Sequence, residues 1–122
     1  MDSAKYTGRL KEILERKEKR KETLEKELQL LVKQLVKFGA KKIVLFGSLR
    51  ENKIDFNSDI DLLVIMPSSK TGKEWMSFLY ENLERNVASD IITFDETEFA
   101  KEFEYNSFLR NIIKRGKVLH EA

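Results

Sequence analysis

Cysteine is absent from the 122 residues, histidine and proline occur once each, and glycine occurs five times. Without thiols there is no disulfide framework, no thiolate zinc site and no cysteine nucleophile. The single imidazole, His120, excludes a His-rich metal site and has no partner pattern around it. Charge of one sign is also lacking, because 23 Lys and Arg against 21 Asp and Glu leave a net +2. A phosphate backbone is neutralised by a surplus of positive charge, so nucleic acid is not an expected partner. Long apolar runs are missing too. The longest, residues 43–46 and 62–66, fall far below the roughly 20 residues of a membrane span. The first residues show no signal-peptide pattern. A cytoplasmic chain without a membrane partner is the expectation.

Charged residues are abundant instead. They make up 36% of the chain, against about 25% in an average globular protein. Apolar residues make up 41%, enough for one modest core. The charge is unevenly spread: residues 1–42 carry 13 basic and 7 acidic side chains, residues 43–122 carry 10 and 14. A basic front is joined to an acidic body.

Residues 4–38 read as one helix, with no Pro and with Gly8 near its start. Leu24, Leu28, Leu31 and Leu35 recur at helical spacing and define a core face. Leu10, Ile13 and Leu14 form a smaller apolar cluster. The wholly polar residues 15–23 between them predict solvated helix, and Gly39 is the expected C-terminal cap. The β-branched run 42–46 and residues 59–66, stopped by Pro67, predict two strands. A helix over 74–87, with Trp75, Phe78, Leu79 and Leu83 inward, leads to a third strand over 90–94. Helices are expected over 96–104 and 106–114, the latter with Phe108, Leu109, Ile112 and Ile113 apolar and Gly116 closing it, then a short strand over 117–120. The implied class is α+β: a small mixed sheet with helices packed against it, preceded by a long N-terminal helix.

Chemistry concentrates between residues 46 and 61. Gly47-Ser48 follows a strand directly, where a glycine permits a tight turn and close backbone approach to a ligand. Backbone N–H groups there, with the Ser hydroxyl, suit phosphate oxygens. Ten residues later stand Asp59 and Asp61. Side chains at i and i+2 of a strand share a face, so these carboxylates converge. Two converging carboxylates repel, and a hard divalent cation such as Mg²⁺ removes the repulsion. The apolar run from Leu62 onward puts both at the mouth of a buried strand. Asp90 opens the third strand and joins them if the second and third strands are neighbours. Three carboxylates beside a phosphate-binding turn are what metal-assisted phosphoryl or nucleotidyl transfer requires. Gly72-Lys73 stands at P-loop spacing, but Pro67 and Glu74 occupy the outer Gly and the Ser/Thr positions, so a Walker A loop is rejected. Trp75 and the eight Phe residues read as core side chains before base-stacking platforms.

Leu45-Phe46-Gly47-Ser48 and, after ten residues, Asp59-Ile60-Asp61-Leu62 resemble the signature of the DNA polymerase β-like nucleotidyltransferases, closest to the small minimal nucleotidyltransferases. The resemblance spans about residues 24–120. It implies that Gly47 and Ser48 hold the triphosphate of ATP, and that Asp59 and Asp61 bind Mg²⁺. Asp90 would complete the metal site and help deprotonate the acceptor hydroxyl. Many members carry Ala-Arg-Gly after the Gly-Ser pair, where this chain has Arg50-Glu51-Asn52. Glu51 takes the usual Arg position, and Arg50 is the candidate replacement at the phosphate.

The implied reaction moves a nucleoside monophosphate, AMP from ATP, to a hydroxyl. Larger relatives add an acceptor-binding domain that 122 residues do not hold, so the acceptor surface is expected from another subunit or partner. The resemblance points to a tyrosine of a HEPN-type protein, with this chain as the antitoxin of a toxin–antitoxin pair. Two alternatives stay open: a non-catalytic toxin-binding module of the same fold, and a homo-oligomeric small-molecule nucleotidyltransferase. Residues 1–23 read as a charged helical extension and 24–122 as the nucleotidyltransferase domain.

Overall fold

A computed structural model of the chain describes residues 3–47 and 60–122. The first element is a 35-residue helix, α1 (Ser3–Lys37), about 50 Å long at 1.5 Å per residue. Its leucine seam meets the body as the spacing predicts: Leu24, Leu31 and Leu35 are fully buried and Leu28 packs beside them. Leu10, Ile13 and Leu14, by contrast, stay exposed on the solvated half of the helix. The helix ends in a Schellman turn: the Ala40 N–H donates to the Leu35 carbonyl and the Gly39 N–H to the Val36 carbonyl, both at 3.0 Å.

Four strands follow among the described residues: β1 (Lys42–Phe46), β2 (Ile60–Met66), β3 (Ser89–Asp95) and β4 (Lys117–Glu121). They form one mixed sheet in the order β3-β2-β1-β4. β1 runs antiparallel to both β2 and β4, and β2 runs parallel to β3. The helix α2 (Gly72–Asn82) makes the crossover from β2 to β3 that a parallel pair demands. Helices α3 (Glu96–Tyr105) and α4 (Ser107–Arg115) lie between β3 and β4 in the chain.

Each central strand is covered on both faces, which is why residues 62–66 form an unbroken apolar run. On one face, Ile43, Leu45, Ile60, Leu62, Val64 and Met66 pack with the α1 seam and with Trp75 and Leu79 of α2. On the other, Val44 and Leu63 pack under Leu109 and Ile112 of α4, with Phe99 of α3 alongside. Phe108 departs from expectation: it is 54% exposed at the start of α4 while its neighbour Leu109 is buried. Among the described residues no helix is long and apolar enough to cross a membrane.

Helix α2 is shorter than its apolar spacing predicts, ending at Asn82 and not at residue 87. The reason is tertiary. The Gln34 side chain of α1 behaves as a piece of backbone: its Nε2 donates to the Glu84 carbonyl (3.0 Å) and its Oε1 accepts from the Glu84 N–H (2.8 Å). Two turns earlier in α1, the buried Glu27 carboxylate accepts from both the backbone N–H (2.8 Å) and the side-chain amide (3.2 Å) of Asn86. These bonds hold residues 84–86 against α1 in place of another helical turn.

Glu27→Leu should therefore destabilise the fold by about 1–3 kcal/mol, since it removes the two charge-assisted hydrogen bonds that tie Asn86 to α1. Glu22→Ala, on the exposed stretch of the same helix, should change stability by less than about 0.5 kcal/mol. Urea denaturation midpoints of the two variants test the contrast.

Candidate functional site

Strand directions decide where the chemistry-bearing residues go. β1 ends at Phe46, while β2 and β3 begin at Ile60 and Ser89. Because β1 opposes the other two, its C-terminal end meets their N-terminal ends at one edge of the sheet. Gly47, Asp61 and Asp90 thus come to the same edge. In the register, Asp61 stands opposite Phe46 on one side and opposite Asp90 on the other.

Alternation fixes the face. Leu63, two residues beyond Asp61, and Ile92, two beyond Asp90, both pack on the α4 side of the sheet. Asp61 and Asp90 therefore project from that same side, on strands about 4.8 Å apart. Asp61 is half-buried and Asp90 is exposed. Phe46, also on this side, carries the ring of Phe108 in a T-shaped contact with centroids 6.3 Å apart.

Gly47 has φ +78°, in the left-handed region that disfavours side chains. The space a Cβ would take there is filled by the Asp61 carboxylate, whose Oδ2 would clash with it and whose Cγ would lie 3.1 Å away. Glycine at this position lets the carboxylate fold down over the end of β1. The turn at Gly47 and the Asp61 carboxylate are thus close neighbours.

The remaining sequence candidates, Ser48, Arg50 and Asp59, with Glu51 at the variant position, lie outside the described residues. Among the described residues no cluster of three or more His, Cys, Asp or Glu side chains is placed to hold a metal. Asp61 and Asp90 supply two hard oxygen donors at adjacent register positions. That donor set matches Mg²⁺, which takes one or two protein carboxylates and completes its shell with water and phosphate oxygens.

The Gly72-Lys73 pair is explained by packing. Gly72 starts α2 behind the N-cap Thr71, and its N–H donates to Glu98 Oε1 of α3 at 2.6 Å. A side chain there would press on the Thr93 carbonyl and the Phe94 backbone, at 2.7 and 3.1 Å. The same Glu98 oxygen accepts from the Asp95 N–H at 3.1 Å, so this helix N-terminus already holds a carboxylate. Trp75 is likewise committed to the fold, with its Nε1 donating to the Pro67 carbonyl at 2.8 Å.

Sequence reasoning missed Glu27 and Gln34, which fix the approach to β3 and so the register of Asp90. The signal was present for Glu27. It lies three residues after Leu24 and four before Leu31, a carboxylate placed on the apolar seam.

Comparison with known proteins adds a family. The model of the nucleotidyltransferase domain family matches residues 25–120. Among solved structures, that of a candidate nucleotidyltransferase from Sulfolobus solfataricus is similar, with a TM-score of 0.49 and 22% identity over 66% of this chain and 77% of that one. No curated protein matches the chain.

The contact at Gly47 makes a sharp demand on stability. Gly47→Ala should cost at least about 1–2 kcal/mol, from the left-handed backbone and the displaced Asp61 carboxylate together. Combined with Asp61→Ala, its cost should shrink, because the colliding group is gone. A double-mutant cycle in urea checks this, and strict additivity would contradict the contact.

Proposed function

The chain belongs to the nucleotidyltransferase domain family, and on that premise we propose that it transfers a nucleoside monophosphate from a nucleoside triphosphate to a hydroxyl, with Mg²⁺ as cofactor. The observation that carries this reading is the meeting of Gly47, Asp61 and Asp90 at one edge of the sheet. A positive-φ glycine touching a carboxylate, with a second carboxylate on the next strand, joins a phosphate-approach point to a cation-binding pair.

In the proposed reaction the acceptor oxygen attacks the α-phosphorus. The bond to the bridging α–β oxygen breaks, and pyrophosphate leaves. Gly47, without a Cβ, lets the phosphates approach the backbone closely, with Ser48 and Arg50 as further phosphate contacts. Asp61, together with Asp59, would hold Mg²⁺, and Asp90 would complete that set. When bound, the cation supplies charge neutralisation for the triphosphate and its leaving group. Asp90, the more exposed of the two described carboxylates, is open to an incoming acceptor and is assigned the hydroxyl proton. Positioning and electrostatics carry the catalysis, as in phosphoryl transfer generally.

The resemblance to minimal nucleotidyltransferases supports ATP as the donor. It also supports a tyrosine of a HEPN-type partner as the acceptor, in a toxin–antitoxin pair. The basic front of the chain, with 13 basic and 7 acidic side chains over residues 1–42, offers an electrostatic surface for an acidic partner.

Incubation with α-labelled ATP, Mg²⁺ and a HEPN protein should move label to that protein. Chelation of the metal should abolish transfer. Asp61→Asn should lower the rate by about a hundredfold or more, the scale of losing one electrostatic contact to the transition state. The Asp59→Asn/Asp61→Asn pair should eliminate transfer, and undiminished labelling by that pair would overturn the site assignment. Replacing the acceptor tyrosine by phenylalanine should remove the label without affecting ATP binding.

A further inference from the structure

The one large apolar side chain that departs from the amphipathic pattern of α4 packs on Phe46, the strand residue that pairs with Asp61. Phe108 is 54% exposed, although Leu109 and Ile112 of the same helix are buried at 1% and 3%. Its position is fixed. Asn106 caps the helix, its Oδ1 accepting from the Phe108 N–H at 3.0 Å and the Leu109 N–H at 3.2 Å. The ring meets Phe46 at an interplanar angle of 89°. Phe46 in turn precedes Gly47 in the chain and pairs with Asp61. Across this edge of the sheet the order is therefore Phe108 over Phe46, then Asp61, then Asp90.

Other exposed aromatics stand elsewhere. Tyr80 of α2 lies under the Arg85 guanidinium at 4.4 Å. Tyr105 closes α3. Among the exposed aromatics of the described residues, Phe108 is the one in ring contact with a strand residue paired to Asp61. A rigidly held aromatic ring, left half open to water next to a phosphate-approach glycine, matches what a flat heterocycle attached to that phosphate needs. Stacking covers an apolar face that otherwise stays wet, and the ring loses little freedom because packing and capping already hold it.

We propose that Phe108 is the platform on which the nucleobase of the donor triphosphate stacks, a role that rests on the nucleotidyltransferase function proposed above. Stacking uses the π-face common to all bases, so this platform supplies affinity without selecting adenine over guanine.

The test is calorimetric titration of the full chain in Mg²⁺ with two main probes, ATP and inorganic tripolyphosphate, and with GTP as a second nucleotide. Tripolyphosphate presents the phosphates without a base. Phe108→Ala should weaken ATP by about five- to a hundredfold and leave tripolyphosphate unchanged, and GTP should weaken to a similar degree. Phe108→Tyr, which keeps the aromatic face, should retain ATP affinity. Equal ATP affinity in wild type and Phe108→Ala would overturn the platform while leaving the nucleotidyltransferase reading standing. Parallel losses for ATP and tripolyphosphate would overturn it as well, since the ring would then act through the fold. Failure of the wild-type chain to bind either probe would remove the nucleotide site itself and the platform with it.

Discussion

The parallel pairing of β2 with β3 is the constraint on which the rest of the structure depends. Two parallel strands cannot be joined by a tight turn, so the chain must cross over the sheet, and α2 is that crossing. The crossing brings the start of β3 beside the start of β2, residue for residue, from Ile60 opposite Ser89 to Met66 opposite Asp95. Asp61 and Asp90 become neighbours through this register. A shift of one residue would turn Asp90 to the opposite face and separate the pair.

That register is held from outside the sheet. α1 acts on the β2–β3 crossover through two unlike parts of its surface. Its leucines cover one face of the sheet, and its Glu27 and Gln34 bind the backbone of residues 84–86 just before β3 begins. The apolar contacts provide most of the burial, while the polar ones set where the helix stops and the strand can start. At the far edge of the sheet, charge serves the fold in a different way. Glu98 links the N-termini of α2 and α3, where partial positive charge favours a carboxylate. The acidic character of the body thus has two destinations: Glu98 and Asp95 cap helices, whereas Asp61 and Asp90 stand at adjacent register positions at one edge of the sheet.

Much of the fold was legible because it follows from periodicity. The α1 seam, the strand runs at 42–46 and 60–66 and the stop after Arg115 each have a local cause: apolar spacing, β-branching, or a glycine at the end. Where the expectation failed, the cause was distant in sequence. The apolar spacing of α2 extends through Val87, yet hydrogen bonds from residues some 50 to 59 positions earlier end it at Asn82. Phe108 sits at an apolar helical position, yet the sheet edge beneath it leaves it half open. Leu10, Ile13 and Leu14 repeat the pattern of a core face, but the described body does not cover them.

The candidate site divides along the same line. The sequence by itself determined which residues are the candidates for chemistry: a glycine directly after a buried strand, and aspartates at the mouths of later strands. Residue type and spacing within one strand are local properties that a sequence carries directly. Only the tertiary structure decided that Asp90 joins Asp61, that the Asp61 carboxylate occupies the space left by the missing Gly47 side chain, and that Phe108 packs on Phe46 next to them in the register. Those facts depend on strand order, strand direction and register, which arise from burying both faces of one sheet and have no signature in any single stretch of chain.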